Sequence, residues 1–443
     1  MRTAFAALSI LLMTQLQAQE LFKDPPEWSR NANIYEVNIR QYTPEGTFKA
    51  FQAHLPRLQR MGVDILWLMP VQPIGVENRK GSLGSYYSIS DYTTTNPEFG
   101  SMEDLKELVE QAHQKGMKVI LDWVANHTSF DNVWVSRHPD WYTRDKNGNL
   151  TPPVEDWSDV ADLNFDNTDM RRAMIDAMKF WVNEAGVDGF RCDVAMMVPN
   201  DFWKQCVSAL QEVKPDIFML AEAEGPKFHA SGFDMTYAWD IHNIMNKVAS
   251  GEKTADELEA FVQEDIVKYP EGAYRMLFTT NHDKNSWEGT EFERMGDGAQ
   301  AFYVLCATLP GVPLIYSGQE MGLNRALRFF DKDTIGFSDN PPYESFFRSL
   351  NNLKKDNQAI WNGDNGGTLY TVHVDNAVWV YARQKGDDKV LVIVNLSPDV
   401  HNVKLKSDVF AGKYRDTFTG DKVKLGSKYK GELKPWSYVV LEN

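Results

Sequence analysis

Cysteine is scarce in this chain: Cys192, Cys206 and Cys306 are the three thiols among 443 residues. An odd, widely spaced set excludes a disulfide framework and offers no zinc-ligand spacing, so all three read as core thiols. No long basic run occurs, and the formal net charge is −16. That balance argues against nucleic acid and against an anionic membrane surface as partners. No apolar stretch is long enough to span a bilayer, which argues against membrane insertion. Low-complexity tracts are missing too, and the only repetition is an alternation of strand and helix patterns.

Hydrophobic residues make up 43% and charged residues 24%, a balance that predicts a folded globular chain of more than one domain. Residues 1–18 have the form of a secretory signal. Arg2 supplies the positive start, an apolar run follows, and Leu16-Gln17-Ala18 makes a cleavage site before Gln19. An exported protein, periplasmic or extracellular, is therefore expected.

Apolar runs typical of covered parallel strands fall at 33–42, 63–70, 117–125, 189–195, 217–223, 235–240, 276–283 and 313–319. Helical periodicity falls between them, at 48–61, 169–184, 200–213, 255–267 and 298–309, with another helix from Ser101 to Gly116 and a closing one at 343–354. Eight alternating units predict a (β/α)8 TIM barrel over residues 19–355. Residues 128–165 break the pattern and read as a short excursion domain after strand three. Within it, 145–149 reads as a polar turn, with calcium binding as the alternative. Its loop aromatics Trp134, Trp141, Tyr142 and Trp157 read as core filling or as platforms for flat ligands. From about 360 to 443 the period changes to two, which predicts a C-terminal antiparallel β-sandwich domain that packs on the barrel.

The chemistry gathers at strand ends. Arg191 and Asp193 alternate along 189–195 and so point the same way. Asp122, His127, Glu222, Glu224, His282 and Asp283 follow other strands, and barrel active sites lie at those carboxyl ends. A carboxylate pair in a closed pocket suits glycosidic bond cleavage, one attacking the sugar and one protonating the leaving oxygen. Arg191 on the same face would keep Asp193 ionised as nucleophile, and burial would raise Glu222 as acid/base. Glu224 is the alternative acid. Asp283 could stabilise positive charge on the sugar or grip hydroxyls.

Several stretches together resemble the α-amylase family, glycoside hydrolase family 13. They are Asp122-Trp123-Val124-Ala125-Asn126-His127, Gly189-Phe190-Arg191-Cys192-Asp193, Leu220-Ala221-Glu222 and Asn281-His282-Asp283. Asp162-Leu163-Asn164-Phe165 is similar to the motif near the end of that family's excursion domain. Tyr86-Tyr87-Ser88-Ile89-Ser90-Asp91-Tyr92 and Asn96-Pro97-Glu98-Phe99-Gly100 are similar to its stretch after strand two. The resemblance implies a retaining enzyme acting on α-glucosidic bonds, α-1,4 by expectation, of starch-like glucans or malto-oligosaccharides. It makes Asp193 the nucleophile, Glu222 the acid/base and Asp283 the transition-state stabiliser. It places Tyr87, His127, Arg191 and His282 against the sugar, with Asp122 behind Arg191. The chemistry needs no cofactor; a structural calcium on Asn126 and Asp162 is left open. Many relatives carry Lys-His where this chain has Met196-Met197, so acceptor-side contacts are left open as well. The alternatives are a transglycosylase, an α-1,6-glucosidase and a non-catalytic carbohydrate-binding barrel.

Overall fold

A computed structural model describes residues 23–443; the signal-like segment at 1–18 lies outside the described residues. Eight parallel strands close a barrel. They are β1 (Ile34–Val37), β2 (Ile65–Leu68), β3 (Lys118–Trp123), β4 (Gly189–Cys192), β5 (Phe218–Ala221), β6 (Met235–Tyr237), β7 (Tyr274–Leu277) and β8 (Val312–Tyr316). Each pairs with its neighbour in sequence, and β8 pairs back onto β1. Ile34, Ile65, Trp67, Ile120, Leu220 and Met276 fill the barrel interior, and a second, larger core lies between the strands and the helices.

The strands are shorter than their apolar runs, because an apolar residue past the last ladder bond is still buried as the chain turns. The run at 33–42 is the clearest correction. β1 ends at Val37, and Ile39–Tyr42 is a helical turn. The turn lets buried Arg40 donate to the carbonyls of Leu83 and Gly84, and Gln41 to those of Arg328 and Asp331. The helix expected over 48–61 is two, Phe48–Gln52 and Leu55–Met61. Pro56 has no N–H to give the Gln52 carbonyl, so one continuous helix is broken there. The run at 235–240 is likewise cut short: β6 ends at Tyr237, and a helix over Trp239–Ala249 takes up the end of the run.

The excursion after β3 is a small antiparallel ladder, His127–Ser129 against Val160–Asp162, with two helical turns. Trp141 and Tyr142 are buried in it, and Trp134 packs against the same core. The 145–149 stretch is a polar turn: Asp145 Oδ1 accepts from the N–H groups of Asn147 and Asn149, each at 2.8 Å.

The C-terminal domain is antiparallel, a six-stranded sheet beside a two-stranded one, with Val378, Val380, Leu391, Phe410 and Tyr414 among the core residues. Its strands include Gly412–Asp416, Lys422–Leu425 and Lys428–Leu433, in which basic residues alternate with others. The three cysteines are buried and free. Among the described residues no helix is long and apolar enough to cross a membrane.

Candidate active site

β4 carries the centre of the site. Its first residue must be small: a Cβ on Gly189 would lie 2.0 Å from the carbonyl oxygen of Phe218 on β5. Close approach of the two strands brings Arg191 and Asp193 beside Glu222, which follows β5. Arg191 is wholly buried and is shared. Its Nη1 donates to Asp122 Oδ1 and to Asp193 Oδ1, both at 2.9 Å, and its Nε donates to the Tyr237 hydroxyl at 3.1 Å. Its Nη2 lies 2.9 Å from Glu222 Oε2, an ion-pair contact without hydrogen-bond alignment. Glu222 takes its aligned bond from the backbone instead, with the Val194 N–H at 2.6 Å. Val194 is in the left-handed region, at φ 37°, which a β-branched residue adopts only under strain. That turn aims the Val194 N–H at the carboxylate.

One guanidinium serving three carboxylates changes the electrostatic expectation. Burial and the charge of Glu222 push Asp193 well up, although Arg191 pulls it down. Burial also raises Glu222, against Arg191 and with help from Asp283. Burial and Glu222 thus oppose the pull of Arg191 on Asp193. The aligned Arg191 bond goes to Asp193, and Glu222 takes the Val194 N–H.

A second network adjoins the first. Asp122 Oδ2 accepts from Trp67 Nε1 at 3.0 Å and from the Tyr87 hydroxyl at 3.1 Å. The Tyr87 hydroxyl lies 2.8 Å from His282 Nε2, and Asp283 Oδ2 lies 3.4 Å from the same nitrogen. His282 Nδ1 meets Glu36 in a short contact. Asp283 and Glu36 together push His282 up to about 9, despite its burial. Burial lifts Glu36 too, against the pull of His282 and Arg191. A proton shared between the two is better held on the imidazole, which also faces Asp283. His127 is the contrast: burial takes it down to about 3, so it meets a ligand as a neutral ring.

Asp193, Glu222, Asp283, Tyr87, His127 and His282 line one cavity of about 460 Å³. Arg191 and Asp122 lie behind it, bonded to its lining residues. Glu224 does not join them. The chain leaves β5 at Ala221, the alternation of faces stops, and Glu224 pairs with Arg275 Nη2 at 2.6 Å. Of the four loop aromatics, Trp157 alone reaches the cavity. Residues not anticipated are Glu36, Trp67 and Tyr237 in the networks, and Lys80, Asp159, Trp287, Phe329 and Phe330 in the lining. Glu36 had a sequence signal, as the one acid inside the apolar run Ile34-Tyr35-Glu36-Val37. The lining residues had none.

The excursion ladder sets Asn126 near Asp162, with the Leu163 N–H on the Asn126 carbonyl. Burial raises Asp162. Calcium takes about six to eight oxygens, and these two side chains supply few of them. Among the described residues no group of three His, Cys, Asp or Glu gathers to hold a metal.

Comparison with known proteins gives a consistent result. The model of the alpha amylase catalytic domain matches residues 22–159 and 150–388, and that of the alpha amylase C-terminal all-beta domain matches 370–439. Alpha-amylase MalA of Haloarcula japonica is 29% identical over an alignment of 414 positions that covers 88% of this chain and 60% of that protein. Alpha-amylase 3 of Dictyoglomus thermophilum is 26% identical over 498 residues, covering 98% of this chain and 97% of its own length. Other relatives carry the names of a maltosyltransferase and a cyclomaltodextrinase. The crystal structure of an alpha-amylase from Lactobacillus plantarum superposes with a TM-score of 0.85 at 30% identity, covering 94% of this chain and 99% of that one.

Proposed function

The chain belongs to the α-amylase family, and on that premise we propose that it is a retaining glycosidase. Its substrates are α-glucans or malto-oligosaccharides, cleaved at α-1,4 bonds. The observation that carries the reading is the sharing of Arg191 between Asp193 and Glu222 at the cavity floor. A common cation holds the two carboxyls close together, and a short separation suits attack by one of them on the sugar itself.

Asp193 attacks the anomeric carbon while Glu222 gives its proton to the leaving oxygen. A covalent glycosyl-enzyme forms. Glu222, now ionised, takes a proton from water, which attacks the same carbon and releases Asp193. Asp283 borders the cavity with its side chain 41% exposed, placed to stabilise positive charge on the sugar ring. His282 and neutral His127 meet sugar hydroxyls, and Tyr87 offers a ring face. Each step uses a protein group, so the chemistry needs no cofactor; removing calcium with a chelator is expected to leave turnover intact. Export is proposed from residues 1–18, with Gln19 as the mature N-terminus on sequencing.

The test is time-resolved proton NMR with maltoheptaose. Early α-anomeric products are expected. Asp193→Asn and Glu222→Gln should each lower kcat by about 10²–10⁴-fold or more with the fold intact. Near-normal turnover in either would overturn the assignment. A second reading, transfer to a sugar in place of water, is favoured by the exposed Met196 and Met197 just past Val194. Longer chains in the same spectra would identify it. Silence on this substrate moves the test to α-1,6 bonds, and silence there leaves a binding protein.

A further inference from the structure

The barrel order sets β5 across the mouth from β1, with β2 and β8 flanking β1. Glu222 follows β5 and must touch the leaving oxygen, so the leaving chain departs over the β4–β5 side. The glycone part of the substrate then points toward the loops after β2 and β8. Those loops are bonded to one another there.

The loop after β2 is fastened on both flanks. On one, Lys80 Nζ lies 3.1 Å from Asp159 Oδ1 and donates to the Asp156 carbonyl at 2.8 Å. The N–H groups of Val76 and Glu77 donate to Asp131 Oδ2 at 2.7 and 3.2 Å. All three acceptors belong to the excursion domain. On the other flank, the Ser82 N–H donates to Asp331 Oδ1 and the Leu83 N–H to the Phe330 carbonyl, both at 2.9 Å. Contact there is close enough that a Cβ on Gly81 would sit 2.5 Å from Phe330 Cβ. Arg40 holds the loop from beneath. Three segments far apart in sequence form one wall. Lys80, Trp157, Asp159, Phe329 and Phe330 are its inner face on the cavity, and Trp287 from the segment after β7 packs against it. The aromatic part is itself packed, with Phe329 stacked on Tyr87 at 6.2 Å and Trp287 at 5.3 Å from Phe329.

We propose that this wall makes the cavity blind on the glycone side, with Lys80 as the residue that closes it. The enzyme then takes a glucan by its non-reducing end and releases short saccharides instead of cutting inside the chain. A cavity of about 460 Å³ lies at the small end of the usual range of about 300–1,000 Å³ for ligand pockets, which suits a short glycone. The inference rests on the roles given to Asp193 and Glu222 above.

The test compares p-nitrophenyl maltoheptaoside with the same compound carrying an ethylidene cap on its terminal non-reducing glucose. Wild-type protein should cleave the capped substrate at least about 100-fold more slowly than the free one. Lys80→Ala, which opens the wall, should recover about tenfold or more on the capped substrate. Lys80→Arg, which can keep the bridge to Asp159, should stay closed. Equal cleavage of both substrates by wild type would overturn the blind wall and leave the α-1,4 assignment standing. No gain in Lys80→Ala would remove Lys80 from the role. Silence on both substrates would overturn the α-1,4 reading and this inference with it.

Discussion

Glu36 shows how one buried side chain sets the charge of another. Its Oε1 faces His282 Nδ1, and its Oε2 is buried without a hydrogen-bond partner. Around His282 stand Glu36 from β1, Asp283, the Tyr87 hydroxyl and, more distantly, Arg191. The two carboxylates outweigh Arg191 and burial. A histidine raised to about 9 in the folded chain binds its proton more tightly there than in the unfolded chain, where about 6.5 applies. The stability this adds is fully present below about pH 6.5 and is lost as pH rises toward 9. Glu36→Gln should drop the His282 titration toward the unfolded value, seen by NMR of the ring. It should also flatten the loss of unfolding free energy between those two pH values. An unchanged titration would mean that Asp283 alone holds the charge. Glu36 was legible as an oddity in an apolar strand, but its partner lies 246 positions away, and local pattern carries no information about that.

At the level of elements, helices were read most closely. Asn200–Val213 matches its expected limits, and Thr168–Ala185 extends the expected 169–184 by one residue at each end. Their periodicity is local and so is their capping; Asn167 Oδ1 accepts from Asp169 and Met170 N–H groups to start the second of them. Strand limits depend on partners and were overdrawn at most strands. The β4–β5 contact is where an element has least tolerance. Gly189→Ala puts a methyl group against the Phe218 carbonyl, and the strands must part. We expect a loss of about 3 kcal/mol or more in stability, read by denaturant unfolding. Turnover should fall with it, because strand spacing sets the reach from Arg191 to Glu222. A variant of full stability would show that the strand can shift without cost.

Over the whole molecule, the barrel and the C-terminal domain share a core. Trp379, Tyr381, Val392 and Val440 belong to the same buried cluster as the barrel helices. Arg383 bolts the junction without any carboxylate. Its Nε donates to the Gly367 carbonyl at 3.0 Å, Nη1 to Leu309 at 3.1 Å and Nη2 to Trp361 at 3.0 Å. Burial takes it down to about 9, against the pull of Tyr381. Arg383→Met strips the partners from several buried carbonyls and should cost about 2–4 kcal/mol. Calorimetry should show one transition in both proteins, moved down in the variant, as expected of one cooperative unit. Two separated transitions would mean that the domains unfold independently.

What the sequence by itself determined was the architecture, together with a set of acidic candidates at the strand ends. Alternating periods imply a barrel wherever they recur eight times, and acids at strand ends fall together once a barrel closes. Both are local facts repeated along the chain. Tertiary structure decided the rest. It separated Glu222 from Glu224, since the direction of a side chain past the end of a strand depends on what meets it. It shared Arg191 among three carboxylates. It also fused the loops after β2, β3 and β8 into a wall. Those loops are joined by bonds such as Lys80 to Asp159 and Ser82 to Asp331. Contacts of that span form only when the chain closes on itself, and no local pattern of residues encodes them.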